Sequence, residues 1–320
     1  ECKGLRPSGY GRAETGRKVS MKLFVIEWIA DHKDSYTNLI AHCCDHQGTK
    51  FIKTIKDFPF RFYVKLRSQR DISQVREIIR APDMSVEIQS GLRSIELERF
   101  KDESQLFAKL TSRSHLKLKA AHKALVKSRW DNFDPIFTFE GSTNLISQFL
   151  STLQISPHCW IGFPIAQSCV YTDLQPTSDN ALPVGMAIGA FDIECVSHDG
   201  HSFPNAEHPL DSVEQIGLVI QKHGTGECEQ FFFTTKHLDN IHNCIIIQKD
   251  TEAEMYNAFE DIVFEKVHLL CGYNTAGFDW QYLITRCGIP EKRVFRKSFT
   301  TAAFGSQSFT NVTLPGVLQL

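Results

Sequence analysis

Apolar runs and alternating apolar and polar positions divide the chain into two series of predicted elements. The first series has strands and two helices, with strands at 22–29, 36–44, 49–55, 58–64, 84–90 and 105–112 and helices at 71–80 and 115–127. The second series has strands at 184–190, 213–221 and 228–234, a helix at 251–264, an apolar run at 268–271 and a helix at 278–287. The polar, turn-rich stretch 175–180 separates the two series. We therefore expect an α/β chain with domains at 21–180 and 181–320, preceded by a disordered tail or upstream sequence at 1–20.

Three carboxylates on two segments of the second series suggest a metal site. Asp192 and Glu194 follow the apolar run 184–190, and side chains two apart on a strand project to the same face. Asp279 stands at the start of a predicted helix, where the plainer role is an interaction with the helix dipole worth about 0.3–1 kcal/mol. Clustered oxygen ligands suit Mg²⁺ or Mn²⁺, and two such ions can activate water and stabilise a leaving oxygen. The pattern predicts a site that hydrolyses phosphodiesters.

Two motifs resemble the first and second exonuclease motifs of family B DNA polymerases, in the delta-type version of eukaryotes and large DNA viruses. The first is 190–195 (Ala-Phe-Asp-Ile-Glu-Cys) followed by Phe203 and Pro204, and the second is the stretch 272–286. Residues 58–64 resemble the Phe-Pro-Phe-x-Phe-Tyr-Val pattern of the same family's N-terminal domain. The resemblance implies a mixed α/β N-terminal domain followed by an incomplete ribonuclease H-like 3′–5′ exonuclease domain, in which three antiparallel strands precede the first crossover helix.

The resemblance also implies a role for each residue of the second domain's motifs. Asp192 would bridge two Mg²⁺ (or Mn²⁺) ions, Glu194 would bind one ion and orient the attacking water, and Asp279 would hold the second ion. Asn274 and Phe278 would grip the unpaired 3′ end of a DNA primer, with base stacking worth about 1–3 kcal/mol per base.

Three flanking residues of the second motif have plainer expected roles. Tyr273 and Tyr282 are expected to be core aromatics, and Arg286 is expected to form a salt bridge or cap its helix. The family's third motif, a Tyr followed four residues later by Asp, is expected beyond residue 320, because no Tyr follows Tyr282. The isolated chain is therefore expected to be nearly inactive.

The function expected from the resemblance is the proofreading part of a DNA-directed DNA polymerase, working on single-stranded primer ends. Contacts with dNTPs and a sliding clamp would come only through the polymerase part that these 320 residues lack. A stand-alone 3′–5′ exonuclease and an inactive nucleic-acid-binding scaffold remain alternatives. The expected location is intracellular, either the nucleus or a cytoplasmic site of viral replication.

Charge and cysteine usage narrow the classes of partner. A net charge of −2 means that DNA binding needs local basic patches, such as the stretch 109–129 with seven Lys or Arg residues. That stretch predicts either a phosphate-tracking surface or a solvated helix face.

No apolar run approaches the roughly 20 residues that cross a bilayer. Adjacent Cys43 and Cys44 would point to opposite faces of a strand, which disfavours a zinc site there. His198, His201 and His208 suggest either a metal or, with more weight, a solvated loop.

Overall fold

The structure is a computed structural model that describes residues 20–320 apart from 34, 67, 82, 93–94, 97–98, 101–104, 129–137 and 302–304. The tail expected at 1–20 lies outside the described residues except for Ser20, which begins the first strand. Within the described part of the chain, none of the helices has the length and apolar character needed to cross a bilayer.

The first half of the chain is a mixed α/β arrangement of one six-stranded sheet, one four-stranded sheet and flanking helices. Its elements, in chain order, are β1 Ser20–His32, β2 Thr37–Cys44, β3 Lys50–Lys56, β4 Phe60–Leu66, α1 Asp71–Ile79, β5 Ser85–Leu92, β6 Ile95–Glu96, β7 Arg99–Phe100, β8 Gln105–Ser112, α2 His115–Lys127, β9 Thr138–Phe139, α3 Leu145–Leu153, β10 Trp160–Pro164, β11 Ser168–Val170 and β12 Gln175–Pro176. The strand orders are β11-β3-β2-β1-β10-β12 and β5-β8-β4-β9, and β6 pairs with β7.

Helix α2 has the bounds predicted from the sequence. Its N-cap is Ser114, whose side-chain oxygen accepts a hydrogen bond from the N–H of Lys117 and so satisfies one of the orphan donors of the first turn. The helix buries Leu118, Ala121 and Leu125 against the strands beneath it. Its basic face, Lys119, Lys123 and Lys127, is exposed, which fits both a solvated face and a phosphate-binding surface.

The second half of the chain forms a six-stranded sheet in the order β16-β15-β14-β13-β17-β20. Its elements are β13 Ala187–Val196, β14 Ser212–Lys222, β15 Cys228–Thr234, β16 Ile245–Gln248, α4 Glu252–Lys266, β17 Leu269–Cys271, α5 Asp279–Cys287, β18 Val294–Thr301, β19 Gly305–Val312 and β20 Leu318–Gln319. Strands β13, β14 and β15 are antiparallel, as expected, and β17 returns parallel to β13 after the crossover helix α4. Strand β16 was not predicted and lies parallel to β15.

The strand predicted at 184–190 is displaced along the chain. Strand β13 begins at Ala187 and continues through both carboxylates to Val196, while Val184 is 51% exposed. The displacement arises because the preceding segment packs on the N-terminal half instead of pairing in the sheet. The N–H of Gly185 donates to the carbonyl of His46 at 2.9 Å.

Buried polar contacts join the two halves of the chain next to β13. His268 accepts a hydrogen bond at Nδ1 from the N–H of Ala187 (3.0 Å), so its Nε2–H donates to the carbonyl of Gly48 (2.9 Å). Burial lowers the pKa of His268 to about 4, which keeps the ring neutral in this bridging role. Lys50 Nζ donates to the carbonyls of Phe264 and Val267 and thereby binds the end of α4.

A substitution of Gly185 tests the close approach between the segment before β13 and the N-terminal half of the chain. A Cβ at Gly185 would lie 2.1 Å from the backbone carbon of Gln47, whereas a Cβ at Gly217 would meet nothing within 4 Å. We expect Gly185→Ala to lower the free energy of unfolding by about 1–3 kcal/mol, because two backbone segments must move apart. Gly217→Ala is the control and should unfold at the wild-type denaturant midpoint or above it. Equal midpoints for the two variants would contradict this close approach.

Candidate active site

Strand β13 presents the first two predicted ligands on an open face. Phe191 and Ile193 are buried against the helices, so the alternate positions Asp192 and Glu194 are exposed on the opposite face. Asp192 pairs across the sheet with Gly217, which has no side chain and leaves the space beside the carboxylate free. A register irregularity follows Glu194, and bulges of this kind often re-aim side chains next to active sites.

The loop after β17 crosses the edge of β13 at very short range. Strand β17 pairs with residues 188–190 only, so β13 continues beyond it with a free edge on that side. A Cβ at Gly272 would lie 2.5 Å from the carbonyl oxygen of Phe191, so glycine permits this crossing. Asn274 then adopts a positive φ of 54°, and its carbonyl accepts hydrogen bonds from the N–H groups of Gly277 and Phe278. The tight loop aims the first turn of α5 at the free edge.

Asp279 is the first residue of α5, and its side chain reaches back to that edge. Its Oδ1 accepts a hydrogen bond from the N–H of Ile193 at 3.2 Å, and the side chain is buried. Burial, with the adjacent carboxylate of Asp192 as a further cause, raises the pKa of Asp279 to about 6. The carboxyl of Asp279 therefore reaches the backbone next to Asp192, 87 residues earlier in the chain, and the charge of Asp192 contributes to its raised pKa.

The donor set fits a hard divalent cation. The buried carboxyl of Asp279, which has a raised pKa and a second carboxylate nearby, marks a position where positive charge would be stabilising. Glu194 lies on the same strand face as Asp192, but the three carboxylates do not form a group with all ligand atoms within 4.8 Å of one another. Among the described residues, the group that does so is His198, His208 and Asp211.

Aromatic rings meet at the start of α5. Phe278 is half-buried and packs against Tyr282, with ring centroids 5.6 Å apart. Phe203, from the loop between β13 and β14, makes an edge contact with Phe278 at 5.4 Å and is 78% exposed. No role was predicted for Phe203, although the sequence Phe203-Pro204 was part of the motif. The two rings form an apolar surface at the start of α5, where Phe278 directly precedes Asp279.

The expectation for Tyr273 was wrong, while those for Tyr282 and Arg286 are confirmed. Tyr273 is 92% exposed, because the positive φ of the next residue turns the loop outward. Tyr282 is 3% exposed in the core of the second half. Arg286 forms a salt bridge with Glu252 at 2.7 Å and donates to the carbonyl of His208, which ties α5 to α4 and to the loop of Phe203. Asn274 is exposed on the loop before α5, and its role in binding DNA stays a prediction.

The raised pKa of Asp279 gives a pH dependence with a definite sign. Between about pH 4 and pH 6 the folded state holds a proton that the unfolded state has released, so the free energy of unfolding falls as the pH rises through this range. Asp279→Asn keeps an acceptor oxygen for Ile193 and removes the buried charge. With a chelator present, we expect it to be about 1–3 kcal/mol more stable than wild type at pH 8 and equally stable near pH 4. Asp239→Asn, at an exposed position, is the control in the urea unfolding series. Parallel pH profiles for wild type and Asp279→Asn would contradict the assignment.

Comparison with known proteins identifies the family of the chain. The model of the DNA polymerase family B exonuclease domain matches residues 136–320, which is more than half of the chain. The DNA polymerase of Acanthamoeba polyphaga mimivirus is 28% identical over 185 residues, covering 55% of this chain and 10% of that protein. The DNA polymerase delta catalytic subunit of Candida albicans is 28% identical over 225 residues, covering 59% of this chain and 21% of that protein.

A viral relative and a solved structure extend the comparison. The DNA polymerase catalytic subunit of Epstein-Barr virus (strain B95-8) is 32% identical over 111 residues, covering 34% of this chain and 11% of that protein. The family B DNA polymerase of Pyrobaculum calidifontis has the same fold, with a TM-score of 0.62 over 94% of this chain, 36% of that chain and 17% sequence identity. The chain thus spans about a tenth to a fifth of the length of these curated relatives. The chain belongs to family B of the DNA polymerases, and it contains the exonuclease domain of that family.

Proposed function

We propose that this chain carries the proofreading 3′–5′ exonuclease site of a DNA-directed DNA polymerase, with Asp192, Glu194 and Asp279 as metal ligands and catalytic residues. The observation that carries the proposal is the hydrogen bond from the N–H of Ile193, the residue after Asp192, to the buried carboxyl of Asp279 at the free edge of β13, within the region that the exonuclease family matches. A buried carboxyl with a pKa of about 6 beside a second carboxylate is costly unless it serves a ligand. Family B exonuclease domains are metal-dependent, and Mg²⁺ or Mn²⁺, as two ions, is the proposed cofactor.

The residues of the chain prepare the site in distinct ways. Asp279 must release its proton to act as a ligand, which the pKa of about 6 permits at neutral and higher pH. The N–H of Ile193 keeps one oxygen of Asp279 in place, and Asp192 supplies oxygens from the neighbouring strand face. Glu194, exposed on that face, would accept a hydrogen bond from the attacking water and orient it. A bound divalent ion supplies a water of lowered pKa and stabilises the leaving oxygen of the phosphodiester.

The aromatic surface formed by Phe203 and Phe278 would hold the terminal base of a single strand. The rings meet edge to face and one of them is largely exposed, so an unpaired base can stack there. The exposed amide of Asn274 lies on the loop that leads into Phe278 and would bind the sugar or phosphate of the same nucleotide. A mismatched primer end has a lower cost of unpairing and would reach this surface more readily than a paired end.

The wider setting follows from the same proposal. The substrate would be the single-stranded 3′ end of a primer, at an intracellular site of DNA replication in a nucleus or a virus-infected cytoplasm. Contacts with dNTPs and a sliding clamp would belong to other parts of the polymerase. Primer extension by the full-length gene product separates this proposal from a stand-alone exonuclease, which would degrade DNA without extending it.

Removal of one ligand tests the nuclease proposal. We expect the full-length gene product to shorten a 5′-labelled single-stranded oligonucleotide from its 3′ end in the presence of Mg²⁺. Asp192→Ala should lower that rate by at least about 1,000-fold, because the loss of a carboxylate that would hold the metal removes several kcal/mol of transition-state stabilisation. Asp239→Ala, which removes an exposed acid between β15 and β16, is the control and should keep the wild-type rate. Equal rates in Asp192→Ala and wild type would exclude this site as the source of activity and favour the scaffold alternative.

A second substitution tests the aromatic surface. Phe203→Ala should weaken binding of a single-stranded 3′ end by about 5- to 150-fold, which corresponds to about 1–3 kcal/mol for one stacked base. The binding is measured by fluorescence anisotropy with Ca²⁺ in place of Mg²⁺, so that hydrolysis is avoided. Leu210→Ala removes an exposed apolar side chain from the same loop and serves as the matched control. A loss of affinity of the same size in both variants would mean that the loop, and not the ring, governs binding.

A further inference from the structure

The loop between β13 and β14 brings together two imidazoles and one carboxylate that the exonuclease proposal does not use. His198 Nδ1 lies 2.8 Å from Oδ1 of Asp211, and His208 Nδ1 lies 3.1 Å from the same oxygen. The ligand atoms of the three residues all lie within 4.8 Å of one another. The two rings are stacked, with centroids 4.0 Å apart and an interplanar angle of 26°.

Hydrogen bonding alone leaves part of this group unsatisfied. Asp211 is 2% exposed and already accepts backbone N–H groups, from His198 at Oδ1 (2.8 Å) and from Asn205 at Oδ2 (2.7 Å). The Nδ1 atom of His208 is buried and has no hydrogen-bond partner, since its ring is not aligned with the nearby oxygen. A buried polar atom without a partner is costly, by about 1–3 kcal/mol. An ion at this point would satisfy it.

We propose that His198, His208 and Asp211 form a binding site for a transition-metal ion of the Zn²⁺ class. Bonds of about 2.0 Å in a tetrahedral shell place neighbouring ligand atoms about 3.3 Å apart, close to the observed 2.8 Å and 3.1 Å. The imidazole of His208 needs a rotation about its Cβ–Cγ bond to direct its lone pair at the ion. Its side chain is 35% exposed, so the rotation has room. Water would complete the shell.

The ligand types distinguish this site from the carboxylate site. Two imidazole nitrogens and one carboxylate oxygen suit Zn²⁺, Co²⁺ or Ni²⁺, whereas the all-oxygen set of Asp192 and Asp279 suits Mg²⁺. His201, the third histidine of the loop, is exposed and outside the group. The two sites can therefore be filled and removed independently.

The ion would fix the loop that carries Phe203. His198 and His208 flank Phe203 in the chain, and Asp211 immediately precedes β14. The carbonyl of His208 already accepts a hydrogen bond from Arg286 on α5 (3.2 Å). Metal binding would therefore close the loop at its base, next to the helix that holds Phe278 and Asp279.

Titration with Co²⁺ tests the site directly. The 320-residue chain is titrated in excess Mg²⁺, which occupies oxygen ligands, and binding is followed by the visible absorption of tetrahedral Co²⁺. We expect saturation at one equivalent and complete displacement by Zn²⁺. His208→Phe keeps a stacked ring and removes the nitrogen. It should weaken Co²⁺ binding by at least about 100-fold, since even outer-shell partners of a metal account for about 10- to 100-fold.

Matched variants make the result decisive. His201→Phe introduces the same change in the same loop outside the group, and Cys228→Ser removes an exposed thiol. Both should bind Co²⁺ as wild type does. His208→Asn replaces His208→Phe if the latter does not give the wild-type circular dichroism spectrum without metal. Failure of wild type to bind Co²⁺, or binding that His208 substitutions leave unchanged, would overturn the proposal and leave the two rings as a stacked pair beside Asp211.

Discussion

The hydrogen bond from the N–H of Ile193 to the buried carboxylate of Asp279 is the constraint on which the proposed active site depends. It forms because β17 ends its pairing at residue 190 and leaves the edge of β13 open for the first turn of α5. This arrangement desolvates the carboxyl of Asp279 near Asp192, which raises the pKa of Asp279 to about 6. A carboxyl that is destabilised in this way is expected at a site that binds a cation, because such a group does not contribute to the stability of the fold.

The rest of the molecule keeps that edge in place. The aromatic contacts of Phe191 with Trp280 (4.9 Å) and Phe259 (5.3 Å) hold β13 against both helices from the side opposite the carboxylates. The salt bridge between Glu252 and Arg286 joins those helices, and Glu252 also accepts the N–H of Val213 at the start of β14. The neutral His268 fixes the beginning of β13 to the N-terminal half. Packing and buried hydrogen bonds thus support a polar site that is itself unfavourable without a ligand.

The sequence predicted most of the elements and the position of the acidic residues, because both depend on local patterns. Helix α2 follows from its apolar spacing, and Asp192 and Glu194 share a face because they are two apart on a strand. What local patterns could not predict is set by tertiary contacts. The segment before Ala187 packs on Gly48 rather than in the sheet, and Tyr273 is turned outward by the conformation of Asn274. The loop between β13 and β14 has no regular apolar pattern, so the sequence could not predict its path. That path brings Phe203 to Phe278 and His198 to His208.

Anomalous diffraction from crystals soaked in Mn²⁺ would show whether Asp192 and Asp279 hold a metal ion together. We expect an anomalous peak within bonding distance of both carboxylates, about 2.0–2.5 Å from their oxygens, with Glu194 moved towards it. The result that would contradict it is a well-ordered crystal in which no peak lies beside Asp192 and Asp279, even though Mn²⁺ is bound elsewhere on the chain.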